Sequence, residues 1–345
     1  MRTGIVGLGE IGQHHLAAIR DSEDAELVAV CDLDPELAGS SAGDARAFSD
    51  VGEMLAACEL DSLAVCLPHS LHVEVAVEAI AAGCNVLLEK PMAVDVGGCD
   101  RIAAAAQAAG VAVGISHNQL HYAPHVRLRE LIDAESLGAL RAIYARLWIG
   151  DRYRGWREDP AIVGGGLLMD AGVHRVYLSR ALGGPVEAVE ATMDVPRAEE
   201  RFEVTFHFAS GATGLIQGSY FGPEGTFDDR IDVLGDRGAA VVSGCEAYFE
   251  GDLRDEPQLR HRLDGAWADD AVSDSWAASV ARSVSEILAA FAAGREPLVG
   301  PTAGRETVGL IEAAYVAAET GGRVETDAIL DRDASERAHG PGGRV

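Results

Sequence analysis

Lysine is almost absent from this chain. Of 28 basic residues only one, Lys90, is a lysine; the others are arginines. Basic charge is scarce altogether: 55 Asp and Glu leave a net charge of −27 and a pI near 4.6. That balance excludes a nucleic-acid or anionic-membrane binder, which needs a basic stripe. The acids are spread along the chain rather than blocked, so they read as a solvated surface. Cysteines number six, at 31, 58, 66, 84, 99 and 245, and none forms a CxxC pair. Neither a disulfide frame nor a zinc site is expected, and no other metal; the thiols read as small hydrophobes in a reducing compartment. No stretch is long and apolar enough to span a bilayer. The N-terminus enters a strand at once, with no signal-like segment before it. A cytoplasmic protein with no membrane or nucleic-acid partner is the expectation.

What remains is ordinary globular composition, 48% apolar and 24% charged. A chain of 345 residues exceeds one compact core, so two domains are expected. No internal repeat is visible. The lone lysine follows the apolar run "CNVLL" and precedes a proline. Arginine is permanently charged, whereas a lysine amine can approach neutrality and carry a proton in a reaction. A stray surviving surface lysine is the plainer alternative.

The first half alternates apolar strands with helices. "TGIVGLG", "AELVAVCDLD", "DSLAVCLP", "NVLLEKP" and "VAVGISHN" read as strands; amphipathic runs between them read as helices. Pro35 suits a first helical turn, Asp50 an N-cap and Gly83 a helix end. Strands apolar throughout imply a parallel sheet covered on both faces. Residues 1–118 are therefore expected to form a Rossmann-type, doubly wound parallel sheet.

Its first turn is Gly7-Leu8-Gly9-Glu10-Ile11-Gly12. With 40 glycines such spacing arises by accident, but here it follows a strand and opens a helix. Gly7 permits the tight turn, Gly9 close approach of a pyrophosphate, and Gly12 close helix–strand packing. The helix N-terminus then offers free N–H groups to phosphate. Asp32 ends the second strand, placed to accept from both ribose hydroxyls and to repel a 2′-phosphate, which points to NAD rather than NADP. The alternative for Asp32 is a turn cap in "DLDP".

Beyond residue 118 the grammar changes. "VEAVEATMDV", "RFEVTFHFASGATGLIQGSYF" and "DRIDVLGDRGAAVVSG" alternate apolar and polar residues around Gly-containing turns. An α+β domain over 119–328 is expected, with a large open, mostly antiparallel sheet covered by helices on one face. The polar, Gly-rich tail over 329–345 reads as disordered. Between these patterns, "GGG" at 164–166 precedes "LLMDAGVHRVYLSRAL", a helical run. Asp170 and His174 stand four apart on one helical face. An ordinary surface pair is the alternative.

Together "GLGEIG", "CDLDPE", "EKPMA" and "GGGLLMDAGVH" resemble the glucose-fructose oxidoreductase/inositol dehydrogenase (Gfo/Idh/MocA) family over residues 1 to about 328. The EKP and the GG-x(3)-D-x-G-x-H patterns are the specific ones. The resemblance implies a Rossmann domain followed by an open-sheet domain. It implies hydride transfer between nicotinamide and a carbinol or ketone carbon of a sugar or cyclitol. Lys90, Asp170 and His174 would meet at the nicotinamide, with Glu89 in the same turn and the peptide before Pro91 often cis. Leu67, Pro68, His69 and His72 occupy the loop that touches the nicotinamide ribose in relatives. Asn118 ends the last Rossmann strand facing the cleft. Arg154, Trp156 and Arg157 stand where substrate would be gripped. His14 and His15 read as helix residues.

Oxidising a carbinol requires a base at its hydroxyl; His174 suits by intrinsic pKa, with Lys90 polarising the oxygen. The reverse assignment stays open. Tyr177 stands where many relatives carry an aspartate three residues after the histidine. Retaining His174, where nucleotide-sugar ketoreductases often have tyrosine, favours an NAD-dependent dehydrogenase of a cyclitol or sugar. The alternatives are an NAD(P)H-dependent reductase of a keto-sugar, possibly nucleotide-linked, and a catalytically silent nucleotide-binding regulator. The resemblance and the open sheet imply a homodimer or homotetramer.

Overall fold

A computed structural model describes residues 1–244, 257–263 and 265–331. The chain divides into two compact units. The first comprises Met1–Asn118 and Val280–Arg305; the second comprises Gln119–Ser279 and the described residues from Glu306 onward.

The first unit is a six-stranded parallel sheet. Its strands are β1 (Arg2–Val6), β2 (Glu26–Cys31), β3 (Arg46–Phe48), β4 (Ser62–Val65), β5 (Asn85–Glu89) and β6 (Val113–Ser116), in the order β3-β2-β1-β4-β5-β6. Order reverses between β1 and β4, which is where a doubly wound sheet opens a crevice at its strand ends. The helices between strands are α1 (Glu10–Asp21), α2 (Pro35–Ala42), α3 (Val51–Ala57), α4 (His72–Ala81) and α5 (Val96–Ala109). Their starts are set by local chemistry. Asp34, Asp50 and Asp95 each accept from backbone N–H groups of the following turn, satisfying donors that a helix start leaves unpaired. Val86, Leu87 and Leu88 of β5 are completely buried, as a strand covered on both faces requires.

The return of residues 280–305 to this unit was not expected. It follows from packing on β6. Ile115 N donates to Val299 O at 2.8 Å, Ser116 and Ser283 hydroxyls lie 3.2 Å apart, and a Cβ on Gly114 would sit 2.7 Å from Ile287.

The second unit is a nine-stranded sheet. Its strands are β7 (Leu140–Ile149), β8 (Val186–Met193), β9 (Arg201–Phe208), β10 (Thr213–Ser219), β11 (Phe227–Gly235), β12 (Ala239–Ser243), β13 (Leu259–Leu263), β14 (Ala266–Asp269) and β15 (Val324–Glu325). The order is β14-β13-β12-β11-β7-β10-β9-β8-β15, antiparallel except between β7 and β10. Its helices are α6 (Ala123–Asp133), α7 (Pro160–Val163), α8 (Val173–Gly183) and α11 (Asp327–Leu330); α9 (Trp276–Ala292) falls mostly in the first unit and α10 (Pro301–Thr320) mostly in the second. Helix α8 packs on β7 and β10. Along β7, Ile143, Ala145, Leu147 and Ile149 are buried while Tyr144 and Trp148 stand 44% and 45% exposed. One face is therefore helix-covered and the other open within this unit.

Among the described residues no helix is long and apolar enough to cross a membrane. Cys31, Cys66, Cys84 and Cys99 are buried and Cys58 half-buried, all as free thiols; Cys245 lies outside the described residues. The expected disordered tail falls outside them from residue 332 on, and its first residues end α11.

Candidate active site

In the first unit the glycine turn follows β1. Gly7 has φ +85°, and a Cβ there would strike Cys66 O at 2.2 Å. A Cβ on Gly12 would lie 2.0 Å from Gly7 O, whereas one on Gly9 would meet nothing within 4 Å. The outer two glycines thus let the main chain close on itself, and Gly9 leaves its outer side open for a ligand to approach. Helix α1 begins at Glu10, with Gly9 as its N-cap and no side chain capping its first N–H groups. Glu10 is exposed and Ile11 half-buried at this helix start. Such a start is an anion site.

Asp32 caps the turn, as the alternative reading of "DLDP" has it. Its Oδ2 accepts from Leu8 N at 2.7 Å, inside the glycine turn, and its Oδ1 accepts from Asp34 N at 3.0 Å. The carboxylate is half-exposed and keeps further acceptor capacity for ribose hydroxyls. These residues fit a dinucleotide. Asp32→Ala removes a charged acceptor worth about 1.5–3 kcal/mol, so NAD affinity should fall about 10- to 100-fold with discrimination against NADP reduced. Titration of the protein with NAD and NADP measures both; unchanged NAD affinity would count against a ribose role for Asp32.

The EKP turn is braced from behind. Glu89 is buried, and its Oε1 lies 2.7 Å from His15 Nε2 while its Oε2 accepts from Lys90 N at 3.1 Å. Burial pushes Glu89 up, but His15 and Lys90 pull it below the usual carboxylate range. Burial pushes His15 down, and its contacts with Cys66 and Glu89 outweigh this, raising it to about 10. The pair is therefore an ionised one. His15 is a residue of α1, as read from sequence, and is also the buried counter-ion of Glu89 under the EKP turn. Sequence gave no signal of it beyond its place on the inner face of α1.

His72 is also fully buried. Its Nδ1 lies 2.8 Å from Pro91 O and its Nε2 2.9 Å from Leu67 O. Burial lowers its pKa against the pull of these carbonyls and Glu89. A neutral ring donates only once, so the second contact becomes a hydrogen bond only in the imidazolium. His72 thus clamps the Leu67-Pro68 loop to the EKP turn, with both ring nitrogens turned to the backbone. His69 is buried beside it, ring centroids 5.7 Å apart. Lys90 itself is half-buried, and the Lys90-Pro91 peptide is cis. His117 and Asn118 follow β6 and are buried. Burial, against the pull of Glu89 and aided by the Lys90 charge, holds His117 neutral at about 3.

In the second unit the run Gly164–Gly166 serves close packing. A Cβ on Gly165 would lie 2.1 Å from Tyr315 Oη, and one on Gly166 would lie 2.3 Å from both N and O of Glu199. A single π-helical turn, Leu168–Gly172, follows and runs into α8; such wide turns recur at functional sites. Asp170 sits in it, 4% exposed. His174 is half-buried one turn later.

Arg157 Nε stands 3.4 Å from Asp170 Oδ1. The same guanidinium lies over the Trp156 ring at 4.6 Å and the Tyr153 ring at 5.3 Å. Tyr153 meets Tyr220 edge-on at 6.2 Å. Burial and then Asp170 raise Tyr220 well above the usual phenol range. Arg157 thus links Asp170 to Tyr153 and Trp156, and Tyr220 stands close enough to feel the Asp170 charge. The two tyrosines were not singled out from sequence: Tyr220 is one residue past β10, in no motif. Arg154 is directed outward, its side chain 82% exposed and 3.5 Å from Glu158. Tyr177 is pushed up to about 12, by burial first, and faces the charges of Arg180, Glu306 and Arg129.

Residues 1–117 match the family model described as an oxidoreductase family with an NAD-binding Rossmann fold, and residues 125–241 match the model of the GFO/IDH/MocA C-terminal domain. The chain belongs to the Gfo/Idh/MocA oxidoreductase family. This family member is similar to an inositol 2-dehydrogenase of Ralstonia nicotianae, 28% identical over 72% of this chain and 75% of that one. It is 27% identical to an inositol 2-dehydrogenase of Burkholderia multivorans over 98% and 99% of the two chains. Among solved structures it resembles GenD2 from gentamicin A biosynthesis, in complex with NAD, with 27% identity, a TM-score of 0.80, and 94% and 96% of the chains covered. The Gfo/Idh/MocA chain is accordingly an NAD-binding oxidoreductase.

Proposed function

We propose that this oxidoreductase is an NAD-dependent dehydrogenase that oxidises a secondary hydroxyl of a cyclitol or sugar. The observation that carries the reading is buried Asp170, paired with Arg157, whose guanidinium lies over Trp156 and Tyr153, a few residues before His174. A polyol offers many hydroxyls and an apolar C–H face. Aromatic walls and a paired Asp–Arg donor–acceptor suit both.

Bound NAD supplies the hydride acceptor. Gly7, Gly9, Gly12 and the N–H groups of α1 would hold its phosphates, and Asp32 its adenosine ribose. Leu67, Pro68 and His69 would line the nicotinamide ribose, with His72 acting through the loop it clamps. Asp170 accepts from one substrate hydroxyl and fixes which carbon reacts. His174 takes the proton of the reacting hydroxyl, and Lys90 donates to the same oxygen so that charge does not build up on it. Asn118 and Trp156 complete the substrate contacts. Lys90 serves where arginine fails because the step needs a small, titratable ammonium.

The open sheet face supports assembly into a homo-oligomer. Tyr144 and Trp148 on β7 and Leu234 on β11 stand exposed on it, apolar surface of the kind that other copies cover. The reducing state of the described thiols suits the cytoplasm.

Incubation of the protein and NAD with a panel of cyclitols and sugars tests the reading. Reduced cofactor should accumulate with at least one of them. Turnover of keto-sugars alone, with reduced cofactor supplied, would select the reductase instead. Cofactor binding without turnover in either direction would select the regulator.

A further inference from the structure

The glycine run and the wide turn after it hold to one buried carboxylate that the chemistry above does not use. Glu199 is 1% exposed, just before β9. Its main-chain oxygen accepts from Leu167 N at 2.9 Å. Its Oε1 accepts from Leu168 N at 2.8 Å and from Tyr315 Oη at 3.1 Å, while Oε2 has no hydrogen-bond partner. Gly166 packs on the Glu199 main chain with no room for a side chain, and Asp170 N donates to Gly166 O at 3.1 Å. Leu168 N–H is one of the donors a helix start leaves unpaired, and a carboxylate there is favoured by the helix dipole as well.

We propose that Glu199 is a positioning residue for the dehydrogenase reaction: by gripping the main chain at Leu167 and Leu168 it sets where the π-turn places Asp170. This rests on the role given to Asp170 above. The grip is graded by charge. A carboxylate accepts roughly twice as strongly as a neutral acid, and burial raises Glu199 to about 7 despite its hydrogen bonds. The groups facing it are Tyr315 on α10, with the Arg197 guanidinium 5.0 Å over that ring and paired with Glu319, and Tyr220, which feels both Glu199 and Asp170. Protonation weakens, without breaking, the bonds that the carboxyl accepts, among them those from Leu168 N and Tyr315 Oη. Because the folded pKa is raised, the stability contribution is complete below the unfolded carboxylate value near 4.5 and is lost as pH rises through about 7. The ionised carboxylate thus tightens the turn at a cost to the fold.

The test compares full-length wild type, Glu199→Ala, Glu199→Gln and Tyr315→Phe by amide hydrogen exchange and steady-state kinetics. In Glu199→Ala, exchange over 166–176 should quicken about tenfold, the loss of one net hydrogen bond, with exchange over 4–18 unchanged. Its kcat/KM for the polyol should fall about 100-fold, as for a displacement on the order of 1 Å, while KM for NAD holds. Glu199→Gln keeps an acceptor for Leu168 N–H and Tyr315 O–H and should restore both readouts to within about tenfold of wild type. It should also flatten the pH dependence of stability between the two pKa values. Wild-type exchange in Glu199→Ala overturns the proposal, as does Glu199→Gln being as damaged as the alanine variant. Should the alanine variant not fold, Tyr315→Phe decides: faster exchange confined to 166–176 supports the grip, and unchanged exchange overturns it. A wild type that turns over no polyol sinks the dehydrogenase reading alone, since the exchange comparison still decides what Glu199 holds.

Discussion

Lys90→Met is expected to lower kcat/KM for the polyol by about 10²- to 10⁴-fold, the usual contribution of a positioned proton-transfer group. Methionine keeps the length of the stem and removes only the ammonium. Glu89 and His15 behind the turn stay paired through their own 2.7 Å contact, and Glu89 also holds the main-chain Lys90 N, which the substitution keeps. NAD affinity should therefore stay within a few-fold. Lys90→Arg is the sharper variant. It restores the charge but not a compact ammonium that can aim a single donor at the reacting oxygen, so it should remain nearly as slow as methionine. Initial rates of cofactor reduction, with NAD affinity measured separately, check both. Rates near wild type in either variant would remove the chemical reason for the chain's single lysine.

The second large effect concerns the helix that carries His174. Arg175 is the next residue on α8, 2% exposed, and its Nη2 lies 2.9 Å from Asp229 Oδ2 on β11, itself nearly buried. Taking two charges out of water is costly, and their attraction only just repays it. Removing one partner leaves the other as an uncompensated buried charge. Asp229→Ala should therefore cost about 3–5 kcal/mol of stability, among the largest single effects expected in this unit. Replacing both, as Arg175→Met with Asp229→Leu, should recover much of the loss. Urea unfolding of the single and double variants checks this. A double variant as unstable as the single would show that the pair contributes more than the avoidance of a lone charge.

The Rossmann unit was legible because each local signal agreed with the fold. Its strands are apolar throughout, its helices are capped by Asp34, Asp50 and Asp95, and its first turn has the glycines the geometry demands. The Gly7-Gly12 turn and Asp32 could be placed because a phosphate-binding turn constrains main-chain sterics, which glycine records directly. The helical run carrying Asp170 and His174 was legible from its spacing, but the π-turn over Leu168–Gly172 was not.

What was not legible depends on long-range contact. The 280–305 segment reads as a plain amphipathic helix and loop; only its bonds at Ile115 and Ser116 show where it docks. The parallel pairing of β7 with β10 inside an otherwise antiparallel sheet leaves the same alternation in sequence as an antiparallel pair. His15, Glu199 and Tyr220 lie 74, 29 and 50 residues from Glu89 or Asp170, and no local pattern ties residues so far apart. The GGG run was noticed as a structure breaker, yet its physical reason is the close approach of Tyr315 and Glu199.

The proposed function makes one spatial demand: that the amine of Lys90, the imidazole of His174 and the carboxylate of Asp170 act on one substrate at the nicotinamide. A crystal structure of the protein with NAD and a polyol it turns over tests this most directly. The account predicts Lys90 Nζ and a His174 ring nitrogen both within about 3 Å of one hydroxyl oxygen, whose carbon lies about 3–3.5 Å from nicotinamide C4, with Asp170 on a neighbouring hydroxyl. A complex in which that hydroxyl touches neither Lys90 nor His174 would contradict it.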